Sequence, residues 1–282
     1  MILVDLNQVA ISNLMVSVNG NYSSEINENL IRHMVLNSLR SYRVKFGEEY
    51  GELVICCDNR HYWRRELFPF YKASRKKDRA ASALDWTLIF ETLNKIRDDI
   101  KEYFPYKVID IERAEADDII GVIVKHSNPL EKILILSGDK DFMQLQKHMN
   151  VYQYAPVQKK FLKPKKATEF LKEQILRGDR GDGIPNFLSA DDVFVRGVRQ
   201  KSISKKKLER WMGSEPETFC NEDMLRGYQR NRQLIDLEYI PEDLENEIIQ
   251  EYSQEDKQDR SKLFNYFVKN KMMQLMDHIQ EF

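Results

Sequence analysis

The chain has 282 residues, 42% hydrophobic, 32% charged and 11% aromatic, with a formal net charge of −1, the make-up of a soluble globular protein of one large or two modest domains. No apolar run approaches a membrane span, and Met1-Ile2-Leu3-Val4 meets Asp5 too soon to be a signal peptide. Cys56, Cys57 and Cys220 give neither a disulfide framework nor a zinc spacing, so a reducing cytoplasm is the expected location.

Ile2 to Val4 reads as a buried strand with Asp5 at its carboxyl end. Leu30, Ile31, Met34, Val35, Leu39 and Tyr42 stand at helical spacing and predict a crossover helix over 26–44. Leu53 to Cys57 repeats the opening strand and is closed by Asp58. From 59 to about 86 no strand pattern appears, and so long an insertion after a candidate metal ligand is either functional or disordered. Lys107 to Ile109 is a short strand, and 114–125 reads as a helix that is apolar nearly all round after its first turn, hence buried.

Ile133 to Leu136 is an unbroken aliphatic run that opens onto Ser137-Gly138-Asp139-Lys140-Asp141, the pattern of a buried parallel strand and its ligand-binding end. Val151 to Tyr154 is the last strand expected. Strands alternating with helices mean an α/β fold, a mostly parallel central sheet with helices on both faces. After Pro156, helical signals at 166–176, 205–211 and 221–237 predict a smaller, mostly α region. The division expected is therefore a core over 1–155 and a helical region over 156–282. Met272, Leu275, Met276, Ile279 and Phe282 stand at helical spacing, a stripe expected to pack on the core.

The small net charge conceals segregation. Eight basic and two acidic residues lie between Arg60 and Arg79, five basic and none acidic between Lys159 and Lys166, and seven basic and one acidic between Val195 and Arg210. Asp236 to Arg260 holds ten acidic and two basic residues, a stretch that could keep competing nucleic acid away or meet a basic partner, or else is simply a solvated, weakly helical surface. Three basic clusters beside a carboxylate-rich sheet edge fit an anionic polymer held near a metal site.

The carboxylates are Asp5, Asp58, Asp139 and Asp141 at strand ends, Glu115, Asp117 and Asp118 at the start of the buried helix, and Asp179 and Asp182 in a glycine-rich turn. If that turn folds back over the strand ends, nine carboxylates meet in one cleft. Such a cluster must take up protons or recruit cations. Carboxylate oxygens with no His or Cys among them select Mg²⁺ or Mn²⁺, whose common use in this setting is two-metal phosphodiester cleavage. In the basic insertion, Trp63, Phe68, Phe70 and Tyr71 alternate with Arg64, Arg65, Lys72, Arg75 and Lys76. Cations hold phosphates and aromatics stack on unpaired bases, although some of these rings belong on the inner face of a helix.

These motifs in order resemble the 5′ nuclease (flap endonuclease) family, and most closely its T-even-type bacteriophage RNase H branch. The resemblance rests on the Asp5 strand, Cys57-Asp58-Asn59, Tyr62-Trp63-Arg64-Arg65 with Tyr71-Lys72-Ala73-Ser74-Arg75, Glu115-Ala116-Asp117-Asp118, Ser137 to Phe142, and Gly178-Asp179-Arg180-Gly181-Asp182-Gly183-Ile184-Pro185. It implies a PIN-like nuclease core, a helical arch over about 59–90 and a DNA-binding helical region. It also implies 5′ to 3′ exonuclease, RNase H and flap endonuclease activity in removing RNA primers from lagging-strand fragments. Asp5, Asp58, Asp117 and Asp139 would hold a first Mg²⁺ with Glu115 in or near its shell, and Asp141, Asp179 and Asp182 a second, largely through water, with Mn²⁺ able to substitute.

Arg64 and Lys72 join the four aspartates as the implied catalytic set, and Asp118 is an outer candidate. Arg64, Arg65, Tyr71, Lys72, Arg75, Lys76, Lys201, Lys205 and Lys206 are the expected nucleic-acid contacts. The expected partners are duplex DNA with a 5′ end or flap and RNA–DNA hybrid, with a single-stranded DNA-binding protein suggested only by the phage relatives. A monomer is expected. After Pro185 the family usually carries a glycine-rich hairpin with a bound monovalent ion, and Asn186-Phe187-Leu188-Ser189-Ala190 lacks those glycines, as the phage branch does. The rival readings are a PIN-like ribonuclease and a catalytically silent factor that binds branched nucleic acid.

Overall fold

The computed structural model describes residues 1–19, 27–82, 84–255 and 259–282. β1 (Ile2–Asp5) runs directly into α1 (Leu6–Asn19), followed by α2 (Glu28–Tyr50) and β2 (Leu53–Cys56). α1 stands where no element is expected. Its buried positions Leu6, Val9, Ala10 and Leu14 have helical spacing, but Asn7, Ser12 and Asn13, poor helix formers, dilute the signal. Ile26, the expected start of the crossover helix, lies outside the described residues. Asn27 caps α2 by accepting from the Leu30 amide at 3.0 Å, and the helix runs on to Tyr50 because Phe46 and Tyr50 continue its buried stripe.

The basic insertion is helical: α3 (Trp63–Leu67), α4 (Ser74–Ala80) and α5 (Trp86–Tyr103), the last leading back to β3 (Lys107–Ile109). α6 (Ala116–His126) precedes β4 (Ile133–Leu136), and β5 (Val151–Ala155) is joined by an unexpected antiparallel edge strand, β6 (Lys160–Leu162). β6 lies past the boundary expected near 155, and its mostly exposed Lys-Phe-Leu carries no buried-strand pattern. The sheet order is β3-β2-β1-β4-β5-β6, parallel apart from β6. β1, β2 and β4 are buried at every position because helices cover both faces.

Beyond the sheet come α7 (Ala167–Arg177), α8 (Lys205–Met212), α9 (Pro216–Phe219), α10 (Glu222–Ile235), α11 (Glu242–Tyr252), α12 (Leu263–Lys269) and α13 (Met273–Met276). One face of the sheet packs on α1, α2, α5 and the carboxyl-terminal segment, where Phe282, Leu275 and Met272 are buried. The other face packs on α6 and α11. The acidic stretch thus contributes core. Leu244 and Ile248 of α11 are buried against α6, and its acids occupy the remaining positions of the helix. Asp256 and Lys257 lie outside the described residues. α7, α8 and α10 close a separate cluster around Phe187, Leu208 and Trp211.

Candidate active site

The carboxyl ends of the parallel strands share one edge, and the chain order reverses between β1 and β4, which places a crevice there. Asp5 closes β1, with Oδ2 accepting from Ser137 Oγ at 3.0 Å and Oδ1 from the Gln8 amide at 3.0 Å. Asp58 follows β2 and accepts from the Ala116 amide at 2.8 Å and from Asn7 Nδ2 at 2.9 Å, so it sits at the N-terminus of α6. Asp117 lies in the first turn of that helix, and Asp139, after β4, accepts from the Asp141 amide at 3.0 Å. Asp5, Asp58, Asp117 and Asp139 line one cleft of about 650 Å³.

The glycine-rich turn does fold back towards this edge. Gly178 and Gly183 take φ of +69° and +73°, and a Cβ on them would lie 2.4 Å from the Ile184 carbonyl and 2.8 Å from the Phe70 carbonyl, so only glycine fits. The turn is held against the base of the insertion by Phe68, Tyr71, Ile184, Leu234 and Ile235, which are buried together. Lys72, itself at φ +54°, donates its amide to the Asp182 carbonyl at 2.8 Å. Gln174 of α7 donates to Asp141 at 2.5 Å, and Lys140 pairs with Asp179 at 2.7 Å.

Electrostatically six of these acids fall into two groups. Burial pushes Glu115 and Asp182 up, but Lys72, with Arg64 beside Glu115 and Arg75 beside Asp182, more than offsets it, and both end below the usual carboxylate range. Lys72 Nζ reaches Glu115 at 2.5 Å and Asp182 at 3.7 Å. Asp5, Asp117, Asp139 and Asp141 are raised instead. Burial takes Asp5 to about 8, helped by Asp58 and Asp139, and Asp141 to about 7, helped by Asp139 and Asp182. Burial and then the Asp139 charge hold Asp117 well above its ordinary value. This second group, Asp5 buried and Asp117, Asp139 and Asp141 half-buried, forms no ion pair among the described residues and so offers the donor chemistry that a hard divalent ion fits. Among the described residues no three acids stand close enough to hold one ion by direct contact alone, so water would have to complete its shell.

A carboxylate whose folded pKa is raised binds more protons folded than unfolded. The stability it contributes is full below its unfolded pKa, near 3.8, and is lost as pH rises through 7 and 8. With EDTA present the melting temperature should therefore fall between about pH 5 and about pH 9, a window above the range where Glu115 and Asp182 titrate. Mg²⁺ should restore more stability at the alkaline end than at the acid end. A melting temperature that rises with pH in EDTA would contradict this account.

The cationic residues separate by burial. Arg64 is only 3% exposed, donating Nε to the Leu234 carbonyl at 2.9 Å and Nη1 to Glu115 and Asp118 at 3.0 Å. It lies beneath the acids and not on a surface a strand can touch. Tyr71 is likewise buried, its hydroxyl donating to Glu115 at 2.8 Å and reaching Asp182 at 3.1 Å, so its ring does not stack on bases. Asp118 accepts from the Glu115 amide at 2.9 Å and from Trp63 Nε1 at 3.1 Å, which turns it away from the cleft. Arg65 and Lys76 are exposed and, with Lys72, Arg75 and Arg79, line a groove of about 830 Å³ under α4. Lys201, Lys205 and Lys206 are exposed at and before the start of α8, away from the acids in sequence and in element. Residues without an expected role include Asn7, Gln8 and Ser137, which orient carboxylates, and Arg79, Trp86 and Phe90, which line the groove. Polar residues flanking each strand-end aspartate are the signal for the first three.

A 5′-3′ exonuclease N-terminal resolvase-like domain matches residues 2–174, and the C-terminal domain of T4 RNase H matches 168–282. The chain belongs to the 5′-3′ exonuclease family, a family of nucleases. It is 36% identical to Ribonuclease H of Enterobacteria phage T4 over 292 residues, covering 99% of this chain and 95% of that protein. A 5′-3′ exonuclease of Buchnera aphidicola subsp. Acyrthosiphon pisum is 33% identical over 47% of this chain and 46% of its own. The fold is that of the bacteriophage T5 flap endonuclease solved in a pseudo-enzyme-product complex with DNA and metal ions, with TM-score 0.61, 17% identity, and coverage of 90% of this chain and 99% of that one. No helix among the described residues is long and apolar enough to cross a membrane.

Proposed function

We propose that the chain is a divalent-metal-dependent 5′ to 3′ nuclease that trims RNA from RNA–DNA hybrids and DNA from duplex 5′ ends and releases 5′ flaps, as in removing primers during phage DNA replication. The observation that carries this reading is the cleft of unpaired acids, which shares Tyr62, Arg65, Lys72, Arg75 and Arg79 with the cationic groove beside it. A phosphate backbone attracted to the groove is thereby led to the acids. Asp5, Asp58, Asp117 and Asp139 would hold one Mg²⁺ with Glu115 nearby, and Asp141, Asp179 and Asp182 a second. Bound there, such ions supply Lewis acidity that lowers the pKa of water and neutralises charge on the phosphate.

The chain's own groups set the stage for that chemistry. Ser137, Gln8 and Asn7 fix the acids, and Lys72 and Arg75 present cations at the mouth of the cleft. The helical region over about 156–282, with Lys201, Lys205, Lys206 and the rest of the cluster from Arg196 to Arg210, takes the duplex electrostatically where the family's glycine hairpin is missing.

A 5′-flapped duplex and a recessed RNA-primed duplex, labelled at either end, test the reading when incubated with Mg²⁺ or EDTA. Short products released from the 5′ end, and lost in EDTA, are expected. Tight binding without cleavage in Mg²⁺ would overturn the nuclease reading in favour of a silent binding factor.

A further inference from the structure

Of the aromatic residues at the start of the insertion, Trp63, Phe68 and Tyr71 are buried, and the two that reach the groove wall, Tyr62 and Tyr71, already have Arg65 or Lys72 over their rings. A second aromatic pair stands on the same wall. Trp86 and Phe90, at the start of α5, are half-buried, with ring centroids 5.8 Å apart and planes 29° from parallel. The Arg79 guanidinium lies 4.5 Å from the Phe90 centroid and 5.7 Å from that of Trp86. All three line the groove, and Arg79 and Phe90 line the acid cleft as well, so the group stands where the two cavities meet.

The inner edges of Trp86 and Phe90 pack on the core, which accounts for their apolar character. It does not account for a tryptophan left half-covered on a wall that also carries Arg65, Lys72, Arg75, Lys76 and Arg79. A flat ring among phosphate-binding cations suits one class of ligand, a strand whose bases are unpaired. A base pair inside a duplex has both faces covered by its neighbours and presents none to a protein ring.

Resting on the nuclease reading above, we propose that Trp86, backed by Phe90, is a stacking platform for an unpaired base of the 5′ strand at the entrance to the acid cleft. Arg79 takes the flanking phosphate. The platform acts on substrate choice: it favours strands that arrive with unpaired 5′ nucleotides and is silent toward fully paired 5′ ends. Because stacking engages the base and not the sugar, RNA and DNA flaps use it alike.

The full chain in EDTA is titrated with duplexes carrying a thymidine flap or an abasic flap of equal length and charge. Trp63 and Trp211 are 5% and 7% exposed, so quenching of indole emission reports on Trp86. The thymidine flap should quench and bind about tenfold tighter than the abasic one, within the range that stacking one base supplies. Trp86→Leu should bind both flaps alike and raise KM about tenfold on flaps with kcat unchanged, while leaving a recessed end without unpaired 5′ nucleotides unaffected. Trp86→Phe should keep most of the discrimination. Equal affinity of the parent for the two flaps, or undiminished discrimination by folded Trp86→Leu, would overturn the proposal. Should Trp86→Leu fail to fold, the parent's indole emission decides the question: quenching by the thymidine flap and not by the abasic one supports the proposal, and equal quenching overturns it. Cleavage of the recessed end by the parent in Mg²⁺ reports on the nuclease reading separately, since neither arm of the binding comparison depends on turnover.

Discussion

Asp139→Asn is expected to lower single-turnover cleavage by about 10³-fold or more while leaving the protein folded and able to bind duplex. Partners one step removed from a metal ligand are already worth about 10–100-fold, and Asp139 faces the cleft itself. The amide matches the carboxylate in size, and its oxygen can still accept from the Asp141 amide, so the loop after β4 keeps its shape. What changes is charge. Asp139 raises the pKa of Asp5, Asp117 and Asp141, and removing its negative charge relieves all three. In EDTA at about pH 9 the variant should therefore melt at or above the parent's temperature, although it is nearly inactive in Mg²⁺. Cleavage and melting measured on one preparation check both halves. A folded variant that cuts at the parent's rate would remove Asp139 from the reaction.

The sheet and the acids at its edge were legible because each rests on a local signal. An aliphatic run ending in aspartate is visible in sequence, and parallel strands then bring Asp5, Asp58 and Asp139 to one edge without further information. The turn holding Asp179 and Asp182 was legible as glycine-rich. Its return to the cleft depends on contacts among Phe68, Tyr71 and Ile184, distant in sequence and without a pattern of their own. β6 and the buried face of α11 were missed for opposite reasons, the first too short and exposed to show alternation, the second, expected only as a weakly helical surface, so acidic that Leu244 and Ile248 were hidden among charges.

The harder problem was telling cations that meet a ligand from cations that meet the protein. Arg64 and Arg65 are adjacent and chemically identical, yet one is buried and the other exposed. The difference lies in which face of α3 turns toward Glu115, Asp118 and the end of α10. Five residues cannot display a helical period, so spacing carries no information there. The same limit applies to Trp63, which closes on Asp118.

Arg64→Ala should destabilise the fold by about 3–5 kcal/mol, the cost of leaving buried Asp118 without its cation and Glu115 with Lys72 alone. The guanidinium joins three separate elements. It ion-pairs with Glu115 and Asp118 at the head of α6, at 3.0 and 2.8 Å, and donates to the Leu234 carbonyl near the end of α10 from its own place in α3. Glu115 and Asp118 are 1% and 0% exposed, so neither can turn to water when the arginine is lost. Arg64→Lys should recover only part of the loss, because a point charge cannot serve two carboxylates and a carbonyl at once as the planar fork does. A residue that only gripped substrate phosphate would behave differently, with KM rising and melting unchanged, and Lys would replace Arg with little effect. Melting in EDTA, with no substrate present, separates the two cases. On the scale of a domain of 150–250 residues, a loss of that size corresponds to roughly 6–20 °C. Melting of Arg64→Ala within a degree or so of the parent would mean that Arg64 is not the strut between the insertion, the acid-bearing helix and the helical region behind it.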